Sequence, residues 1–381
     1  MKITTTVGQL KQAIKAVLVA VNAKTCDLHV NDGRLYVKAS NHAGYCRVDL
    51  DANVPKGAAA CVGIGTHTAN VIFGTVASDM EVTITPVETG IRLRYGGSNL
   101  KLNHSNGELA DEALFKIAQS CEGRVPVTTC KGEDLINGFE TTQHFAASSD
   151  VRQYLCGVYL EDHHGKLRMT ATNGFMLNSV DTELRCELKG FNAIIPNTAA
   201  QAIEVVFKGD EEIQLFQVGD GTSKKIVLKT DRLCWINYLV VGDFPNYQQL
   251  LASEATQRSA EIVVPRKEMV NAISRVLAVS NGPYVKVKFA GGVVTVLSPD
   301  EEQKEQIGVQ ELTEEAFPGV KNPEWEAGFS GDLLSEIVNR TPSANILFRK
   351  SATLESKLYV RPMKEKSVST HWVAMLMTAR L

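Results

Sequence analysis

The spacing of hydrophobic and polar positions changes in the same way at three places along the chain. "KITTTVGQLKQAIKAVLVAV", "VPVTTCKGEDLINGFETTQHF" and "EIVVPRKEMVNAISRVLAV" each open on a short β-like run, pass a polar break, and continue at helical spacing. Leu10, Ile14, Val17, Leu18 and Val21 share one helical face, and so do Met269, Ile273, Val276 and Leu277. The second copy is weaker: Leu135 and Phe139 fit, then Thr141 and Thr142 blur the stripe. Each copy carries a second helical pattern, "GTHTANVIFGTV", "PNTAAQAIEVVF" and "SGDLLSEIVNRT", with Thr66, Asn197 and Ser330 as the predicted N-caps. Alternating runs fill the remainder, broken by turn chemistry at Asn31-Asp32-Gly33, His163-His164-Gly165 and Gly291-Gly292.

This pattern predicts an α+β protein of three similar domains, residues 1–122, 123–254 and 255–381. Each has about two helices and several antiparallel strands. "GELADEALFKIAQSCEG" and "LASEATQRSA" are the predicted linkers.

Composition adds little except by exclusion. At 381 residues, 44% apolar and 22% charged, the chain has enough apolar material for several cores. No apolar run is long enough to span a bilayer, and the N-terminal pattern is not that of a signal peptide. Cys26, Cys46, Cys61, Cys121, Cys130, Cys156, Cys186 and Cys234 are scattered without C-x-x-C pairs. They are expected to be reduced, mostly buried thiols of a cytoplasmic protein, with no metal and no cofactor. A net charge of −3 argues against an all-over basic coat but leaves room for a local basic surface.

Enzyme signatures fail one by one. Gly63-x-Gly65 lacks the third glycine and the ribose-binding acid of a dinucleotide fold. The G-x-S-x-G, H-E-x-x-H and P-loop patterns do not occur. His163 and His164 lie in a turn where adjacent side chains are expected to diverge, and the run Asp300-Glu301-Glu302 fits a solvated edge or a partner surface better than a cation site. No nucleophile, base and orienting group assemble, which points to a binding protein. Lys11 and Lys15, and Lys267, Asn271 and Arg275, form polar helix stripes, for which a simple solvated face is the alternative.

Three segments, in order, carry a family pattern. Asp150-Val151-Arg152-Gln153-Tyr154-Leu155-Cys156-Gly157 followed by Ala171-Thr172-Asn173-Gly174-Phe175-Met176-Leu177 resembles the D-V-R-Y-Y-L-N-G and A-T-D-G-H-R-L segments of the bacterial β sliding clamp family, the processivity subunit of DNA polymerase III. "GDFPNYQQLL" resembles its G-x-F-P-D-Y, and "HWVAMLMTARL" its terminal V-V-M-P-M-R-L. The departures are those of a distant copy, such as a phage or mobile element would carry. Phe175 stands for the family's His, Gln249 for its Arg, and Leu376 for its Pro. Thr378 and Ala379 extend the end before Arg380-Leu381.

The resemblance implies a non-catalytic homodimeric ring of six domains around duplex DNA, with helices lining a central pore and antiparallel sheets outside. It implies a partner-peptide pocket lined by Leu155, Thr172, Gly174, Phe175, Leu177, Pro245, Gln249, Leu250, Val373, Met375, Leu376 and Met377. There the polymerase and clamp loader would insert a short peptide resembling Gln-Leu-x-Leu-Phe. Read with the helix faces, it suggests a DNA-facing set of Lys11, Lys15, Lys24, Arg152, Tyr154, Arg266, Lys267, Arg275 and Arg340. It suggests a dimer contact through Leu100, Lys101 and Leu102 against Ala278, Val279, Glu301 and Glu302. A clamp-like interaction scaffold that encircles DNA weakly is the alternative. No membrane association is expected.

Overall fold

A computed structural model describes residues 2–31, 33–104, 116–117, 119–256, 259–308, 324–351, 357–363 and 372–379. Asp32, residues 105–115, which include 107–115 of the first predicted linker, and Arg380-Leu381 lie outside the described residues. Seven helices of the described residues are α1 (Val7–Ala20), α2 (Thr66–Phe73), α3 (Gly132–Thr142), α4 (Asn197–Val206), α5 (Gln248–Thr256), α6 (Arg266–Val279) and α7 (Gly331–Arg340). The order strand, helix, four strands, helix, three strands occurs three times, over residues 3–103, 128–238 and 259–377.

Local chemistry explains the first helix. Thr6 caps α1: the Gln9 backbone N–H donates to Thr6 Oγ1 at 3.2 Å, and the Thr6 N–H donates back to Gln9 Oε1 at 3.4 Å. Leu10, Ile14, Val17 and Leu18 are buried, whereas Lys11 and Lys15 are exposed. The caps predicted at Thr66 and Asn197 are each one residue too late. Gly65 and Pro196 hold the extended cap positions, and Thr66 and Asn197 begin the helices. Thr66 instead donates its hydroxyl to the Lys24 carbonyl at 3.0 Å. Ser330 is an N-cap by position, without a side-chain capping bond. The predicted second linker is largely structured, because α5 runs through Thr256 and a strand starts at Ser259.

The chain divides into two compact units. The first comprises residues 1–140, 160–167 and 184–241. It holds a four-stranded sheet in the order Ile3–Thr6, Glu81–Val87, Gly90–Tyr95, Ser98–Asn103. Its eight-stranded sheet runs Ala60–Gly65, Thr25–Asn31, Arg34–Asn41, Gly44–Leu50, Leu233–Tyr238, Lys225–Lys229, Glu212–Val218, Thr128–Lys131. Two groups of four meet where Gly44–Leu50 pairs antiparallel with Leu233–Tyr238, with Cys46 opposite Trp235. At this joint a Cβ on Gly44 would sit 2.2 Å from the Ile236 carbonyl oxygen, so only glycine allows the approach. Helices α1 and α4 pack together in this unit.

The second unit comprises residues 141–159, 168–183 and 242–381. A four-stranded sheet runs Lys304–Gly308, Val293–Leu297, Tyr284–Ala290, Trp325–Ser330. A longer sheet contains the run Met176–Arg185, Trp372–Met377, Lys357–Pro362, Asn345–Ser351, Ser259–Pro265. Its joint pairs Met176–Arg185 antiparallel with Trp372–Met377, Leu177 lying opposite Met375. Helices α6 and α7 pack together here.

None of the eight cysteines, all among the described residues, forms a disulfide. Cys26, Cys46, Cys121 and Cys186 are buried and the other four are half-buried. Burial pushes the Cys26 and Cys234 thiols up to about 12, which keeps them protonated and unreactive.

Candidate functional site

The "TATNGF" segment forms an Asx turn in the second unit. Asn173 Oδ1 accepts from the backbone N–H groups of Phe175 at 3.0 Å and Met176 at 2.9 Å. The Thr172 hydroxyl accepts from the Gly174 N–H at 3.1 Å and donates to the Met176 carbonyl at 2.7 Å. Gly174 has φ +89°, a left-handed conformation that favours glycine. A Cβ there would lie 3.4 Å from the Arg152 guanidinium, so that arginine lies against the turn.

The turn delivers Leu177 to an apolar cluster. Leu177, Val373 and Met375 pack with Tyr247 and Tyr359, all at most 5% exposed. Tyr159, Phe244, Leu250 and Leu251 are half-buried around them. Tyr159 and Phe244 stack with ring centroids 4.6 Å apart and planes 4° from parallel. The Tyr359 hydroxyl donates to the Leu250 carbonyl at 2.8 Å, which ties the start of α5 to the sheet. Around this floor Phe175 is 64% and Met377 40% exposed, and Pro245 and Gln249 are exposed as well. The Met377 N–H donates to the Phe175 carbonyl at 2.9 Å, so the turn and the last strand form one edge.

Three distant segments thus converge on one apolar surface. Leu376 does not belong to it. In the strand Trp372–Met377 successive side chains alternate, and Leu376 lies opposite Met176 and Leu358, on the face away from Leu177 and Met375. Leu155 is 2% exposed and packed in the interior. The sequence reading missed Tyr159, Phe244, Tyr247, Leu251 and Tyr359. Phe244 and Tyr247 stand inside the quoted "FPNY" and were legible there. Tyr359 becomes visible only through its register opposite Met375.

Of the basic residues named for DNA, Lys11, Lys15, Lys24 and Lys267 are exposed. Several arginines are engaged. Arg152 makes a bidentate pair with Asp150 at 3.0 Å, Arg275 pairs with Glu305 at 2.9 Å, and Arg340 with Glu336 at 3.0 Å. Arg266 donates to the carbonyls of Asn339 and Thr341 at 2.9 and 3.2 Å. Tyr154 is half-buried beside Gly242.

Two of the free sheet edges, Ser98–Asn103 and Lys304–Gly308, lie at or beside most of the dimer candidates. Leu100 and Leu102 are half-buried and Lys101 is exposed on Ser98–Asn103. Asp300-Glu301-Glu302 forms a tight turn: Asp300 accepts from Ser298 Oγ and from the Glu302 N–H, and Glu301 pairs with Lys286 at 2.7 Å. Val279 is 61% exposed. His163 and His164 do not diverge; their rings lie 4.3 Å apart.

Residues 129–246 match the family "DNA polymerase III beta subunit, central domain". The chain is similar to the bacterial β sliding clamps. It is 26% identical to the beta sliding clamp of Proteus mirabilis over 203 residues, 52% of each chain. It is 21% identical to that of Rickettsia bellii over 331 residues, 83% of this chain and 82% of the other. The chain spans about half the length of the curated relatives it matches first, 52% of the Proteus mirabilis clamp.

The fold likeness is full-length. The DNA polymerase III beta subunits of Pseudomonas aeruginosa and Thermotoga maritima superpose with TM-scores of 0.79 and 0.81, at 18% and 17% identity. All of this chain is covered in both, with 100% and 99% of theirs. The α+β clamp fold is therefore that of this chain. A further Pseudomonas aeruginosa clamp structure holds griselimycin.

Proposed function

We propose that the chain is a DNA sliding clamp: a non-catalytic, cytoplasmic processivity factor that closes head to tail as a homodimer around duplex DNA. It consists of three clamp domains, 1–122, 123–254 and 255–381, and tethers a polymerase and a clamp loader through the apolar surface at Leu177, Tyr247 and Met375.

One observation carries the reading. Each unit contains one joint between two groups of strands, and each unit also contains one four-stranded group ending in an unpaired edge. By position in the repeated element order, Ser98–Asn103 is the counterpart of Leu233–Tyr238 and Trp372–Met377. Lys304–Gly308 is likewise the counterpart of Gly44–Leu50 and Met176–Arg185. The two free edges are thus the two halves of a third joint. Pairing them between two copies covers both of these edges, a common solution for a strand that would otherwise aggregate. Such a ring needs only weak attraction to phosphates, because topology rather than affinity holds the DNA.

The second reading is a partner scaffold that encircles DNA weakly. It draws on Arg152, Arg275 and Arg340 being occupied by carboxylates, and on the net charge of −3. Native mass at several concentrations, with retention on nicked circular DNA before and after linearisation, separates the two. A dimer retained on circles and lost from linear DNA supports the clamp. A monomer, or equal retention on both forms, overturns it.

A further inference from the structure

We propose that Asp27, His29 and Cys61 form a binding site for one zinc-class divalent cation on the edge of the eight-stranded sheet of the first unit. The three donors come from neighbouring strands, Thr25–Asn31 and Ala60–Gly65, and their ligand atoms lie within 4.8 Å of one another. His29 lies opposite Cys61 in the antiparallel register, and Asp27 is two residues from His29 on the same face.

The distances suit such an ion. Cys61 Sγ is 3.4 Å from His29 Nε2. A tetrahedral zinc bound at roughly 2.3 Å to sulfur and roughly 2.05 Å to nitrogen separates those donors by about 3.5 Å. The Asp27 carboxylate, within 4.8 Å of the other two donors, completes the set. Thiolate, imidazole and carboxylate together are a borderline-soft donor set, which selects zinc or cobalt over magnesium or calcium. Three protein donors leave a fourth position for water.

The surroundings hold the donors in place. The His29 ring stacks on Tyr36 with centroids 4.9 Å apart and planes 3° from parallel, which fixes its plane. The His104 ring sits between the carbonyl oxygens of Cys61 and Glu88, its nitrogens 3.0 and 3.2 Å away, where one of them can donate. Lys38 lies opposite Asp27 in the neighbouring strand and competes with the cation for that carboxylate. Donors that alternate along one strand and face a partner on the next leave no compact spacing motif, which is why the sequence pattern pointed to no metal. Because Ala60–Gly65 is the outermost strand of its sheet, a cation here clips the edge strand to its neighbour.

The test uses the full-length protein, reduced and stripped with a chelator, then titrated with Co2+ and competed with Zn2+. One equivalent of Co2+ is expected, with a thiolate-to-cobalt charge-transfer band and visible bands of a tetrahedral ion, displaced by Zn2+. Cys61→Ser should abolish the charge-transfer band. His29→Ala and Asp27→Asn should each weaken binding at least about tenfold, since even outer-shell partners command about 10–100-fold. Cys130→Ser, on a distant strand of the same sheet, should leave the band intact, and circular dichroism verifies that each variant folds. Absence of a bound equivalent, an undiminished band in Cys61→Ser, or unchanged affinity in Asp27→Asn overturns the proposal. The readout is independent of ring closure and of peptide binding.

Discussion

The joint between Gly44–Leu50 and Leu233–Tyr238 and the joint between Met176–Arg185 and Trp372–Met377 are built alike but finished differently. In the first, Tyr45 and Ile236 pack with Phe216, Val218, Val227 and Cys121, and Ile117 and Cys234 lean on them. Beside that cluster a cavity of about 310 Å³ is lined by charge, including Arg34, Arg47, Asp49, Lys229 and Arg232. Arg47 lies 3.8 Å over the Tyr36 ring and pairs with Asp49 at 2.6 Å. In the second, the covering segment brings Phe244, Tyr247, Leu250 and Leu251, and Phe175 and Met377 remain exposed at the rim. The same scaffold therefore makes a charged seam in one place and an open apolar surface in the other. Only the second can bury an apolar peptide anchor, because burying one beside the first would strip water from charged groups.

The strongest way to break the comparison is at the third joint, proposed to form between two copies. Leu100→Asp places a carboxylate where an apolar side chain should meet the partner strand. The expected cost is about 3 kcal/mol or more, which weakens the dimer roughly a hundredfold or more. Reversing the charge of Glu302 should have a smaller effect, since that residue is exposed beside the edge. An unchanged dimer mass for Leu100→Asp at nanomolar concentration would mean that the two free edges do not meet.

The apolar surface proposed to take a peptide comes next. Phe175→Asp combined with Met377→Asp changes rim residues rather than the buried floor, so the fold should survive. Loss of an apolar anchor contact of about 2–4 kcal/mol lowers affinity for a Gln-Leu-x-Leu-Phe peptide by roughly one to three orders of magnitude. Fluorescence titration with native mass in parallel reads both quantities. The matched change at the first joint, Arg47→Ala, should leave peptide affinity untouched. It should cost about 1–2 kcal/mol of stability in chemical denaturation, because it removes an ion pair and a stacked cation together. Peptide affinity that falls in Arg47→Ala but not in the rim variant would exchange the roles assigned to the two joints.

Periodic features were legible and cross-strand features were not. The buried stripes of α1 and α6 follow directly from spacing, as does the Asn173-Gly174 turn. Thr66 and Asn197 were misplaced because an extended glycine or proline before a helix caps by backbone geometry alone. The Thr6–Gln9 capping box was readable in "TVGQ" and was passed over. At the apolar surface, Val373, Met375 and Met377 alternate along the strand, and that alternation already excludes Leu376. The aromatic floor needed register: nothing local to "KLYVRP" puts Tyr359 beside Met375. The occupation of Arg275 was equally hidden, since Arg275 and Glu305 are thirty residues apart in sequence and adjacent in space, whereas Arg340 and Glu336 stand four apart on one helix.

The smallest expected effect lies at the rim of the second joint, where Arg152 lies against Gly174. Its guanidinium and its backbone N–H both donate to Asp150 and hold that carboxyl down to about 2. The sign follows from a lowered value: the pair is complete above the ordinary carboxylate range and is lost only as pH falls toward 2. Asp150 therefore stays ionised and paired with Arg152 at neutral pH. Asp150→Asn removes the masking charge while keeping the side chain's shape. If Arg152 faces the DNA, it then gains about one phosphate contact. The logarithmic salt slope should steepen by about 0.9, and DNA affinity near 0.15 M salt should rise about fivefold. The gain should be the same at pH 5.5 and pH 7.5, since Asp150 is ionised at both. Peptide affinity should not change, because neither residue belongs to the apolar floor. An unchanged salt slope would remove Arg152 from the DNA-facing set and leave it as a support for the turn. A gain that appears only at the lower pH would contradict the lowered carboxyl.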